Sequence, residues 1–145
     1  MATAGVGNNY ATGMLDLYLG SGTPATWYYA LLTALATDGD ADSLVEATWS
    51  GYARPSVTNN GTNYPNSTVV SHICQKAVQS AINWGTVSGA GSPITVVGLC
   101  GFSASSGGNM GHQAVFGTLA SPVTYTLNNG SSLSVASGNL VEQLT

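Results

Sequence analysis

Punctuation is the feature that most limits what this chain can fold into. From residue 50 onward, turn formers cut it into short apolar runs: SGYARPSVT (50–58), TVVSHIC (68–74), ITVVGLCGF (94–102), HQAVFGTLA (112–120), PVTYTL (122–127), SLSVAS (132–137) and NLVEQL (139–144). Between them lie NNGTNYPNS (59–67), SGAGSP (88–93) and SASSGGNMG (103–111), dense in residues that adopt positive φ or bond their own backbone. Short strands joined by turns point to an antiparallel sandwich or barrel, not to a βαβ sheet. Pro55 places 50–58 at a sheet edge or bulge. ITVVGLCGF, the most apolar run, reads as a central strand buried on both faces. Val123, Tyr125 and Leu127 alternate with threonines, and Leu133 and Val135 with serines. With Asn129-Gly130 between the two runs, this predicts a hairpin over 122–136.

The first third reads differently. Residues 1–7 form a featureless arm. Met14, Leu15, Tyr18 and Leu19 fall near helical spacing, which predicts a short helix over 10–19, stopped at Gly20-Ser21-Gly22. TWYYALLTALA (26–36) is apolar throughout and fits either a helix or a buried strand, because periodicity alone does not separate them. QKAVQSAINWGTV (75–87) is equally ambiguous, with a helical turn allowed before Trp84. TDGDADS (37–43) reads as an acidic loop. The division expected is an arm and short helix over 1–25 and a β-sandwich over 26–145.

Composition enters where function is concerned. Only 6% of the 145 residues are charged and the net charge is −4, against about 25% charged in an ordinary domain. Copies of such a chain repel one another weakly, which suits a surface covered by neighbours. Arg54 and Lys76 are the only strong cations. They cannot form a patch neutralising several phosphates, so nucleic acid is not an expected partner. Attachment to anionic lipid fails for the same reason, and no apolar stretch is long enough to span a membrane. The N-terminus lacks the pattern of a secretory signal, so synthesis in a cytoplasm is expected. Cys74 and Cys100 fit no metal or redox spacing and read as buried reduced thiols.

Candidate chemistry is thin. His72 lies in a strand-like run and His112 follows a Gly-rich turn. Neither comes with a nucleophile elbow, and serines are too common for one near a histidine to carry information. Asp38, Asp40 and Asp42 alternate like the opening of a calcium loop. The glycine that loop needs is Ser43, however, and the closing glutamate is Trp49, so a solvated acidic loop is the better reading of residues 38–46, Glu46 included. These four are most of the chain's six acids, which leaves only Asp16 and Glu142 for acid–base work. The clustered aromatics Trp27, Tyr28, Tyr29, Trp49 and Tyr52 are read first as core or interface residues and second as a sugar-stacking platform. No catalytic, cofactor-binding or metal residue is assigned.

Several segments, taken in order, resemble a family of small bacteriophage virion proteins usually labelled tail fibre proteins. They are YYALLTA (28–34), GYAR (51–54), WGTV (84–87), VVGLCGFSASSGGNM (96–110) and the closing strand-rich series from Val115 to Leu144. The chain departs from that pattern in a longer stretch between Ala53 and Trp84, in the acidic loop at 38–46, and in Cys74 and Cys100. The resemblance implies a mainly β, single-domain antiparallel β-sandwich, jelly-roll-like or immunoglobulin-like, without catalytic residues. It also implies a virion location, either as a capsid cement or decoration protein on the major capsid protein or as a tail fibre module binding a host glycan or receptor. The cement role is preferred at this stage, because no coiled-coil or collagen-like shaft is present. Self-association is expected, as a trimer by analogy with other virion proteins.

Overall fold

The computed structural model describes residues 8–22, 24–34, 44–71, 73–89, 93–107 and 123–144. The arm, the acidic loop 37–43, His72 and the run 112–120 lie outside the described residues. Among the described residues one helix, α1 (Asn8–Tyr18), precedes eleven strands: β1 (Thr26–Ala34), β2 (Val45–Glu46), β3 (Ser56–Thr58), β4 (Thr68–Val70), β5 (Ile73–Val78), β6 (Ile82–Thr86), β7 (Pro93–Val96), β8 (Gly98–Phe102), β9 (Val123–Thr126), β10 (Ser132–Val135) and β11 (Leu140–Leu144). All pairings are antiparallel. The protein is mainly β and sandwich-like, with one short helix, as the sequence predicts.

β1 organises the molecule. Tyr28 pairs with both Ser56 and Phe102, and Leu32 with both Glu46 and Gly98. It follows that β8 runs along one edge of β1, while β2 and β3 share the other. Trp27, Tyr29 and Leu31 enter the main core beside Val57, Tyr64, Cys74, Ile82 and Trp84. Ala30 and Leu32 turn the other way, against Cys100 and Phe102. Burial on both faces removes the period-two signature, which is why 26–36 was ambiguous as a sequence. The region 75–87 resolves as β5 and β6 with no helical turn. Cys74, Lys76 and Val78 all point inward from β5, and a lysine at a core position hides the alternation.

Three expectations need correction. TVVSHIC is not one strand: Val70 pairs with Ile73 across a two-residue reversal, where Ser71 holds φ 50. Positive φ at the first central position belongs to the primed hairpin turns, and serine is a rare carrier of it. ITVVGLCGF breaks at Val97, whose amide bonds the Leu32 carbonyl, so that β7 pairs with β9 while β8 pairs with β1. β8 is buried at every position, but it is not a continuation of β7. Finally, the turn at Asn128–Ser131 forms with Gly130 at φ 87, yet the flanking strands do not pair with each other. β10 joins β6 and β9 joins β7. The turn is anchored instead on Val87, which exchanges backbone hydrogen bonds with Gly130 and Ser131. β3 lies beside β1 just after Pro55, in keeping with an edge position. No helix among the described residues is long and apolar enough to cross a membrane.

Candidate functional site

The segments singled out in the sequence meet in space. GYAR and WGTV lie backbone to backbone. The Ala53 amide bonds the Trp84 carbonyl at 3.3 Å and the Ser88 amide bonds the Ser50 carbonyl at 2.8 Å. Gly51 (φ +96) and Gly85 (φ +84) make the approach possible: a Cβ on Gly85 would stand 2.1 Å from the Gly51 oxygen, and one on Gly51 would stand 2.1 Å from the Thr86 oxygen. Trp84 is buried, and its indole N–H donates to the Tyr29 carbonyl at 2.8 Å.

Arg54 gathers the rest. Its Nε and Nη2 donate to the two Glu46 oxygens at 2.9 and 2.6 Å, and Nη1 donates to the Ala104 and Gly107 carbonyls at 3.0 Å. The guanidinium also stacks 3.8 Å from the centre of the Phe102 ring. The Tyr52 hydroxyl donates to Glu46 and accepts from the Leu31 amide. Burial pushes the Glu46 carboxyl up, but Arg54 and Tyr52 outweigh it and hold the group below the usual carboxylate range. One arginine thereby ties GYAR, the end of β2 and the Ser/Gly turn after β8 together.

A second cluster anchors α1. Leu15 and Leu19 enter the core. Asp16 accepts from Lys76 Nζ at 2.5 Å and from the Ser67 amide at 3.0 Å. Gly20, at φ +100, follows the helix with its amide on Asn59 Oδ1. Burial raises the Asp16 carboxyl, but Lys76 and Ser67 together hold it below its ordinary value. Glu142 is buried on β11, in register with Lys76. The Tyr29 hydroxyl reaches Glu142 Oε1 at 3.2 Å and the Tyr64 hydroxyl at 2.6 Å. Glu142 Oε2 has no partner among the described residues. Burial first, and only partly offset by Tyr29 and Lys76, pushes the Glu142 carboxyl up to about 8.

This arrangement fixes the pH dependence of stability. Between the ordinary value of 4.5 and about 8, the folded chain holds a proton on Glu142 that the unfolded chain releases, so stability falls as pH rises through that window. Asp16 and Glu46 act oppositely: their contribution is present above the ordinary carboxylate range and is lost as pH falls through their lowered values. Thermal melts from pH 3 to 9 are expected to peak at about pH 5. Glu142→Gln should flatten the alkaline limb and stabilise the chain at pH 7 by roughly 2–3 kcal/mol, since the amide avoids ionisation yet remains a buried polar group. An unchanged alkaline limb would refute the assignment.

His72, His112, Asp38, Asp40 and Asp42 lie outside the described residues. Glu46 is bound to Arg54. Both cysteines are buried thiols outside any disulfide, and burial raises the Cys100 thiol to about 11. Trp27 and Tyr29 are core residues, and no aromatic is among the large exposed apolar side chains described. A cleft of about 240 Å³ is lined by Leu31, Trp84, Tyr125, Leu133 and Val135 among others, where β9 and β10 part.

What remains accessible is a neutral face. Residues opposite one another in antiparallel strands share a side, so Thr68, Val70, Ile73, Gln75, Ala77 and Val141 line the outer face of the β4–β5–β11 sheet. Val70 is 50% and Val141 38% exposed, and none of the six ionises. Both cations are meanwhile held in ion pairs inside the molecule.

Fold and site together define a β-rich structural module whose polar groups hold its own segments in place. Compared with known families, residues 5–143 match the one described as podophage GP4 fiber I protein gp80, and the chain belongs to that family. It is a phage structural protein, a component of the virion. Among curated proteins, none matches it.

Proposed function

We propose that the chain is a non-enzymatic subunit of a podophage fibre, joined to sister copies through the neutral outer face of β4–β5–β11. The observation that carries this reading is that face: exposed valines without an ionisable group, on a molecule whose described cations are both engaged internally. Each copy carries a net charge of −4, so a contact between copies is least opposed where no acid faces another. The family description supports the fibre placement over the shell placement that the sequence reading preferred. Gold-labelled antibody on intact particles tests this: label on fibres supports it, and label spread over the shell restores the cement reading.

The oligomer itself makes a further prediction. A trimer is the assembly expected. Its mass by light scattering should stay constant from about 50 to 500 mM salt, because apolar contacts are not screened. Val70→Lys combined with Val141→Lys should give monomers with an unchanged far-UV spectrum. Persistence of the oligomer in that variant removes this face from the interface.

A further inference from the structure

Lys76 bonds one carboxylate and pairs in register with another, and the two differ in access to water. Asp16, on α1, holds it at 2.5 Å with its own side chain 41% exposed. Glu142 faces Lys76 across the β5–β11 ladder and is only 2% exposed. The titratable groups around Glu142 among the described residues are Tyr29 from β1, Tyr64 from the segment before β4, and Lys76 from β5, with Asp16 of α1 beyond the lysine. Burial, followed by the charge of Glu142, raises Tyr29 far above its ordinary value. Burial also raises Tyr64, so both phenols stay neutral across the range considered.

We propose that Lys76 is a two-position clamp: it ties α1 through Asp16 while Glu142 is protonated, and turns to Glu142 when that carboxyl ionises, loosening the helix. The exposure difference decides the direction. An ionised Glu142 has no solvent to fall back on, and a buried unpaired charge is among the most unfavourable states available to a protein. Asp16 exchanges its ammonium for water at small loss. Gly20, just past the helix, sits against Lys76 as well: a Cβ there would lie 3.5 Å from Nζ. Lys76 therefore also supports the negative end of the helix dipole, and its departure weakens α1 twice. The other ties are the buried Leu15 and Leu19, the Gly20 amide on Asn59 Oδ1, and Ser67 to Asp16 and to the Thr12 carbonyl, so loss of the ammonium loosens the exposed side of α1, where Met14 and Leu17 lie, rather than undocking it.

Hydrogen exchange on the full-length chain, followed by mass spectrometry and corrected for the intrinsic pH effect, tests the clamp. Protection of the α1 amides should fall about tenfold or more between pH 6 and 9 relative to β1 and β8. In Glu142→Gln it should stay level, and in Asp16→Asn it should already be low at pH 6. The proposal is overturned by level protection in the unmodified chain, by the same fall in Glu142→Gln, or by full protection in Asp16→Asn at pH 6. Should Glu142→Gln fail to fold, carbon-13 titration of the Glu142 carboxyl in the unmodified chain replaces it. Its midpoint must coincide with helix opening, and a separate midpoint sinks the idea.

Discussion

Gly85→Ala is expected to remove about a third of the protein's folding stability. Two effects add. Alanine at the φ of +84 found here is unfavourable by about 1–2 kcal/mol. The new methyl would also lie 2.1 Å from the Gly51 oxygen, so two backbone segments must separate; forced overpacking of this kind typically adds about 1–3 kcal/mol. A total of roughly 2–5 kcal/mol stands against about 5–15 kcal/mol for a domain of ordinary stability. Gly51→Ala should behave alike, and the double variant should lose less than the sum, because both changes disrupt one contact. Gly89→Ala is the control: it shares positive φ, at +109, but a Cβ there meets nothing within 4 Å. It should show the conformational part alone. Urea midpoints at unchanged slope measure all four variants. Equal losses at Gly85 and Gly89 would mean that the close approach of GYAR to WGTV contributes nothing.

Arg54→Met should be comparably damaging, by about 3–5 kcal/mol. The side chain is 8% exposed and pairs with a Glu46 that is 26% exposed, so removing the guanidinium leaves a carboxylate largely out of water without its cation. The Ala104 and Gly107 carbonyls lose their donor and Phe102 loses its stacked cation. The turn over 103–107 should then become the first site of proteolytic nicking. Changing Glu46→Leu alongside Arg54→Met should recover part of the loss, since replacing both members of a buried pair is tolerated better than removing one. Arg54→Lys should rescue little, because one ammonium cannot grip two carboxylate oxygens and two carbonyls together. An Arg54→Met variant as stable as the parent would show that the guanidinium is dispensable. GYAR would then matter for its glycine alone.

These two residues show how far the sequence could be read. GYAR and WGTV stood out as segments, but nothing in either says that Gly51 and Gly85 face each other. Arg54 is legible as the last residue of GYAR and as one of two strong cations, but its partners Glu46, Ala104 and Gly107 lie on other segments. Asp16 and Glu142 are legible only as the two acids outside residues 38–46, and nothing local says that Lys76 bonds the one and pairs in register with the other. The divergence of β9 and β10 was hidden because the alternation in 122–136 is the same whether the runs pair with each other or with separate strands.

What the sequence determined by itself is local. The short runs and their turn formers set a mainly β chain, the spacing of Met14, Leu15, Tyr18 and Leu19 set the helix, and the composition set a chain with only two strong cations. Each depends on residues within a few positions of one another, or on composition, which needs no geometry. Tertiary structure alone decided that β1 is buried on both faces, that ITVVGLCGF divides at Val97 between two sheets, and that Lys76 bonds one carboxylate and pairs in register with another. A strand's own residues specify its alternation but not its partner. Pairing is chosen by how the whole core closes, and burial in that core turned ordinary side chains such as Arg54, Lys76 and Glu142 into the ties that hold this fold.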